Sequence, residues 1–384
     1  MRTRLFRNKR TRQPQGGQLP LGGMATRRPQ AYQTRPAEVQ TSGKDVVARF
    51  AQHVLITLSC GRMAIAALVA VVILTACSRL TTTQQVTLRI GFLRIQDDLP
   101  YFVMQEQGVA KQHGVHLVET LYRSGAAIIE ALADGSVDVG TDVGTVPILA
   151  AAERGLVPGT VVPVGANYFV DPDHPSIAML VASSVNTWKD LDGQFVAVNG
   201  KNSLSATAMQ GRLRQEGVHK AQLTEISFAD MGLAVAGGNV AAAIMSEPWL
   251  TQSLLRGDGK LLDWVVGGPP FERIEGAMII FRAAFYRQSP QAVRAFLRAY
   301  LQAVTWVNQH PDAARSILTK WLGLSQEVAQ KMRLPRWALD ARHDPALLES
   351  MQPLLVEIGL LKVPIPANQL YDETLLQEVL AEKR

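Results

Sequence analysis

Cysteine is almost missing from these 384 residues: Cys60 and Cys77 are the only two. Nothing after Cys77 can form a disulfide, a thiolate metal site or a cysteine nucleophile. Charge-free runs of membrane-spanning length are missing around those cysteines as well. The apolar stretch Met63–Ala76 is shorter than the roughly 20 residues a spanning helix needs, and it has the length of a signal-peptide core. Acidic groups are scarce at the start, where residues 1–50 hold 11 Lys or Arg against 2 Asp or Glu and residues 51–76 add only Arg62. The formal charge of +6 therefore hides a balance of −4 for residues 77–384. The basic character belongs to the leading segment, and nucleic-acid binding loses its only support.

What stands beside the second cysteine is more informative. Leu74-Thr75-Ala76-Cys77 looks like a bacterial lipobox, so cleavage before Cys77 and lipidation of that residue are expected; an uncleaved membrane anchor is the alternative. The product would be exported, held on the membrane by its lipid, and would face the periplasm or the cell exterior. The leader, residues 1–76, is much longer than an ordinary charged n-region, which suggests a start codon placed too far upstream or else a basic cytoplasmic tail. Residues 77–85 read as a polar tether. The 308 residues from Cys77 onward are long for one core and suit two lobes. A hydrophobic content of 47% predicts a folded product rather than disorder.

Strand and helix patterns alternate after the tether. Val86–Gly91 alternates in period two, residues 101–112 read as helical, Val115–Leu121 as a strand, residues 126–134 as a helix and Val137–Gly140 as a third strand. Such alternation predicts βαβ units and parallel pairing. The pattern recurs with a strand over Gln194–Asn199, a helix over Leu204–Glu216, a strand over Gln222–Phe228, a helix after Asp230 and a strand over Val240–Met245. Residues 130–140 and 233–243 each read as a helix end, a glycine turn and a buried strand. Two similar α/β halves argue for a bilobal protein with a ligand cleft where strand ends and helix starts meet.

On Leu88-Arg-Ile-Gly-Phe92, Glu106-Gln-Gly108, Asp138-Val-Gly140, Lys189-Asp-Leu-Asp-Gly193, Asp230-Met231 and Ser246-Glu-Pro248, in that order and spacing, the chain resembles the substrate-binding proteins of bacterial ABC importers for nitrate, sulfonates, taurine and related small molecules. The resemblance covers about residues 86–360. It implies an α/β periplasmic-binding-protein fold of type II, with two βα lobes hinged around a cleft. Lobe 1 would comprise residues 86–182 and 283–384, and lobe 2 residues 183–282. It further implies a small-molecule solute, ABC permease and ATPase subunits as partners, a monomer, and no cofactor.

Carried over by position, the resemblance places ligand contacts at Gln96, Asp97, Asp98, Leu99, Thr141, Asp142 and Val143 in lobe 1. In lobe 2 it places them at Asn202, Ser203, Leu204, Asp230, Met231 and Glu247. Backbone N–H groups and hydroxyls at a helix start can hold an anion, with Ser203 and Ser205 as candidates. Each position has a plainer competitor. Ser203 and Asp142 are also natural helix caps, Glu247 before Pro248 could be a loop residue, and Gly200-Lys201-Asn202-Ser203 lacks the earlier glycine a phosphate loop needs. His113 and His116 flank Gly114 without a carboxylate in register, so no metal site is expected. Asp97, Asp98, Asp142 and Glu247 fall on cleft loops with only Lys201 and Arg94 as nearby bases. An unpaired carboxylate in a cleft is costly, so a zwitterionic or nitrogen-rich solute, an aminosulfonate or an aminopyrimidine, is expected over nitrate.

Residues 290–307 carry Val293, Phe296, Leu297, Tyr300, Leu301, Val304 and Val307 at helical spacing, a buried stripe. Further helices over residues 311–321, 325–332 and 345–358 are expected to pack on lobe 1. Catalysis is not expected, because residues 78–384 lack cysteine, a Gly-x-Ser-x-Gly elbow and a His paired by motif to a nucleophile. A biosynthetic enzyme of the same broad superfamily and a ligand-sensing receptor module are the rivals.

Overall fold

The computed structural model describes residues 85–382 apart from Asn202. The leader, Cys60, Cys77, the tether up to residue 84 and Asn202 lie outside the described residues. Eleven strands are β1 (Val86–Phe92), β2 (Val115–Leu121), β3 (Val139–Gly144), β4 (Val161–Val170), β5 (Ile177–Val181), β6 (Phe195–Val198), β7 (Gln222–Glu225), β8 (Ala242–Ser246), β9 (Lys260–Val266), β10 (Ile274–Arg282) and β11 (Arg336–Trp337). They form two sheets, ordered β11-β4-β10-β3-β1-β2 and β7-β6-β8-β5-β9.

Parallel pairing holds for β1 with β2 and β3, Val86 facing Val115 and Phe92 facing Leu121, and for β6 with β7 and β8. The other pairs are antiparallel: β10 with β3 and β4, β4 with β11, and β5 with β8 and β9. The reason is topological. A strand that arrives directly from the other lobe needs no crossover helix, so it can pair antiparallel. The two sheets share one order, since β2-β1-β3-β10-β4 matches β7-β6-β8-β5-β9, and β3 and β8, the strands of the internal repeat, hold equivalent places.

The lobe boundaries differ from the sequence reading. Because β5 belongs to the second sheet and β10 to the first, the chain crosses over residues 171–176 and 267–273 rather than at 182/183 and 282/283. Both strands are buried almost throughout, and continuous apolar runs carry no sign of which sheet they join. The two crossovers touch at Gly267, where φ is +87° and a Cβ would come 2.4 Å from the Pro175 Cα. Only glycine fits both demands.

The Pro290–Gln309 helix buries the whole expected stripe, from Val293 to Val307, and packs on the Leu99–Glu106 helix. Pro311–Leu322 packs there too, with Trp321 stacked on Phe102 at 4.6 Å. The later helices do not keep to lobe 1. Gln326–Lys331 packs on Trp249–Arg256 of lobe 2, and Arg214 Nη1 donates to Glu357 Oε1 at 2.9 Å. Apolar periodicity reveals that a face is covered, not what covers it. The single helix expected over 345–358 is two, Pro345–Ser350 and Gln352–Glu357, parted just ahead of Pro353, whose ring disfavours a continuous helix there. Among the described residues no helix is long and apolar enough to cross a membrane.

Candidate functional site

A cleft of about 740 Å³ lies between the sheets, lined from lobe 1 by residues including Arg94, Asp97, Tyr122, Arg123, Asp142 and Tyr168 and from lobe 2 by residues including Ser203, Leu204, Phe228 and Trp249. This is the size of a small-molecule site. Its lobe 1 floor is built where β1 and β3 end. Asp97, Asp98 and Asp142 are 3%, 1% and 3% exposed, so each carboxylate has lost nearly all its water. Asp98 is well satisfied, accepting from Thr141 Oγ1 at 2.6 Å and from the Leu93 backbone N–H at 2.8 Å. Asp97 accepts from Gln96 Nε2 at 2.9 Å, and Asp142 only from Asn167 Nδ2 at 3.4 Å. The Tyr300 hydroxyl donates to Asn167 Oδ1, and Trp337 Nε1 donates to the Asp97 carbonyl at 3.0 Å.

Desolvation sets the acidity of the floor. Burial pushes Asp97 up to about 7, with repulsion from Asp98 adding to it and the Tyr168 hydroxyl opposing. Burial also pushes Asp98 up to about 7, against the hydrogen bonds from Thr141 and Leu93. Asp142 is driven well above the usual carboxylate range, first by burial and then by Asp97 and Asp98. Among the described residues, no Lys, Arg or His side chain bonds any of the three.

The lobe 2 wall has the opposite character. Gly200, Ser203, Ser227 and Trp249 bring three helix N-termini to the cleft, with their positive dipole ends and free N–H groups. Ser203 caps the Leu204–Gln215 helix, its Oγ accepting from the Ala206 N–H at 3.1 Å and donating to the Gly200 carbonyl at 2.7 Å. The Ser205 hydroxyl donates to Asn199 Oδ1. Phe228 and Trp249 stack at 5.3 Å along this wall. The exposed Arg94 and Arg123 line the lobe 1 side. The cleft lining is largely apolar, and its charged groups are sorted by position, with acids buried at the floor and positive groups at the arginine-lined side and the helix starts.

Of the expected contacts, Asp97, Asp142, Ser203 and Leu204 line the cleft. Gln96, Asp98 and Thr141 are buried in the network that holds the floor. Leu99, Val143 and Met231 are fully buried among core side chains. Asp230 is exposed and accepts from Ser227 Oγ at 2.5 Å. Glu247 is buried and works as a joint: it accepts from Thr251 N and Oγ1 at 3.1 and 2.9 Å and from Arg333 N at 3.3 Å. Burial raises its pKa while these donors oppose. Asp142 does not cap the helix that follows it. His113 Nε2 meets Gln302 Oε1 at 2.7 Å, and His116 sits in β2. Sequence reading missed Tyr122, Arg123, Tyr168, Phe228 and Trp249 on the walls and Asn167 behind the floor. Asn167 had a signal, an amide inside the apolar run Val161–Val170 that must find partners when buried.

Comparison with known proteins gives the lineage. The NMT1-like family model matches residues 81–323. A riboflavin-binding protein of Chloroflexus aurantiacus is 26% identical over 315 residues, which cover 76% of this chain and 85% of that protein. A taurine-binding periplasmic protein of Escherichia coli is 24% identical over 236 residues, 59% of this chain and 66% of that protein, just under two thirds of its length. Among solved structures, the periplasmic nitrate-binding protein of Synechocystis superposes with a TM-score of 0.64 at 16% identity, covering 77% of this chain and 88% of that one. A desulfurization enzyme shares the fold with a TM-score of 0.57 at 20% identity, covering 78% and 99%, so the fold by itself accommodates binding and catalysis alike. The family match spans more than half of the chain, and the two equivalent sheets around a cleft are the architecture of these neighbours. The chain belongs to the NMT1-like family and has the periplasmic-binding-protein fold.

Proposed function

We propose that this protein is the extracytoplasmic, lipid-anchored solute-binding component of an ABC importer, taking a zwitterionic or nitrogen-bearing small molecule in its cleft without turning it over. The observation that carries this reading is the charge layout of the cleft. Three buried carboxylates lacking a basic partner favour an amine, amidine or N–H-rich ring edge. Helix N-termini with Arg94 and Arg123 favour an anionic or acceptor end. An aminosulfonate satisfies both ends; an aminopyrimidine satisfies the floor and can lie against Phe228 and Trp249. Nitrate or a simple alkanesulfonate satisfies only one end. The family match and the binding proteins among the relatives support solute capture, and Leu74–Cys77 supports the anchor.

Thermal unfolding of the purified full-length chain against taurine, ethanesulfonate, nitrate, 4-aminopyrimidine and riboflavin tests the solute class. At 100 times its dissociation constant a true ligand adds about 2.7 kcal/mol, a shift of a few degrees. Tightest binding by nitrate or ethanesulfonate would sink the nitrogen-bearing class. Metabolic labelling with palmitate tests the anchor, with label expected on the native chain and absent from Cys77→Ala.

A further inference from the structure

We propose that the floor of the cleft is loaded with a proton instead of a basic side chain, and that a cationic or N–H-donating group of the solute enters by displacing that proton. This rests on the solute-binding reading above and deepens it, because it makes capture an exchange of a solute nitrogen for H⁺.

The three carboxylates are unequally partnered. Asp98 takes a hydroxyl and a backbone N–H, donors that favour its ionised form against its burial. Of the two that line the cavity, Asp97 has the Gln96 amide and the Tyr168 hydroxyl, whereas Asp142 has a single amide at long range. A second, independent sign comes from Gln96. Its side chain is 1% exposed, its Nε2 is spent on Asp97, and its Oε1 has no partner. A buried carbonyl oxygen left over beside under-satisfied carboxylates calls for a donor that the protein does not supply.

The groups around the floor do not cancel its charge. Tyr168 on β4 and Tyr300 on the Pro290–Gln309 helix are buried and neutral, their hydroxyls pushed well above the usual tyrosine range by burial and by these same acids. Glu247 at the end of β8 adds repulsion to Asp97, and Glu225 lines lobe 2. Arg94 and Arg123 line the cleft but are exposed, where solvent screens them. Three carboxylates so arranged cannot all ionise at neutral pH. At least one proton is therefore held among Asp97, Asp98 and Asp142. When an ammonium, amidinium or N–H edge arrives, that proton leaves the carboxyl for solvent, and the solute N–H groups then donate to the resulting carboxylate. Charge and atoms balance with no other reactant.

Two measurements on the detergent-solubilised full chain decide the matter. First, carbon-13 NMR of γ-carboxyl-labelled aspartate is followed against pH. At least one Asp should stay protonated at pH 7, and Asp142→Asn and Asp97→Asn should each return the remaining floor signals toward the ordinary range. If every Asp has finished titrating below about pH 5, near the normal carboxylate range, the proton-loaded floor is wrong, whatever binds. Second, titration calorimetry with taurine and with 4-aminopyrimidine is run at pH 7 in buffers of different ionisation enthalpy. Net proton release is expected, with affinity falling about tenfold per pH unit of acidification, for one displaced proton, wherever the floor holds it. Binding without proton release overturns the exchange. If neither probe binds at pH 8 while ethanesulfonate does, the cation site falls and solute capture stands. If nothing in the panel binds, solute capture falls with it, while the NMR result still reports separately on the proton.

Discussion

The two walls of the cleft solve opposite problems with the same topology. Lobe 1 faces the cleft with carboxylates that are almost wholly buried and held by Thr141, Asn167 and Gln96, with Trp337 on the Asp97 backbone carbonyl. Lobe 2 faces it with helix starts whose polar groups lie near solvent, with Ser227 and Asp230 exposed and Phe228 and Trp249 half-buried. Equivalent sheets therefore do not imply equivalent roles. The buried floor gains selectivity because unpaired acids in low dielectric are strongly penalised by the wrong ligand. The wetter wall adapts to the remainder of the solute at little cost, since its groups are already capped or hydrated.

The largest break in that contrast should come from backbone contact at the floor. A Cβ on Gly276 would lie 2.1 Å from the Tyr168 ring, and Tyr168 is 5% exposed and next to Asp97. Gly276→Ala should cost about 3 kcal/mol, at the upper end of overpacking, and abolish binding, as read by urea unfolding and calorimetry. The mirror experiment on lobe 2, Gly200→Ala, meets no atom within 4 Å and should change stability by less than about 0.5 kcal/mol.

Asp142→Asn should act in the other direction. The floor carboxyls hold protons more tightly folded than unfolded, so stability is fully present below their unfolded pKa of about 4 and is lost as pH rises through the folded range near 7. Removing one charge relieves that loss. The variant should be more stable than the native protein by about 1–3 kcal/mol at pH 8, by less at pH 5, and should show a flatter pH profile in thermal unfolding. An unchanged slope would mean the acids are hydrated in solution. Binding of an amine-bearing solute should weaken even as the protein gains stability.

Much of the scaffold was legible in the sequence for a physical reason. Strand and helix periods follow from burial of one face, so the Pro290–Gln309 stripe and the repeated strand–helix units could be read from apolar spacing alone. Pairing partners could not. The exchange of β5 and β10 between sheets depends on which lobe covers an apolar run, and a run such as Met278–Phe281 is apolar whichever sheet it enters. The site divided along the same line. Ser203 and Asp142 were reached through the family resemblance by position, whereas Phe228 and Trp249 look like any core aromatics until both flank one cavity. The family resemblance put Glu247 in the cleft; its carboxylate ties a helix start to the backbone of Arg333, a partner 86 residues away that no local pattern announces.

The smallest effects sharpen the lobe 2 side. Ser203→Ala removes an acceptor that holds the Ala206 N–H and should cost about 1 kcal/mol, recovered largely by Ser203→Asp because aspartate caps equally well. Solute affinity separates the two roles of this residue. An anionic solute end seated on the helix start would be repelled by the aspartate although stability returns, so the paired variants should restore folding without restoring binding. Asp230→Ala removes an exposed carboxylate bonded to Ser227 and lying outside the cleft lining. Its loss should stay near 0.5 kcal/mol in chemical unfolding, the value of an acid in a first helical turn, and leave affinity within about twofold, well under the 1.4 kcal/mol that a tenfold change represents. A tenfold loss of affinity at unchanged stability would instead bring the Asp230 carboxylate into direct contact with the solute, and the contrast between a selective floor and a permissive wall would have to be redrawn.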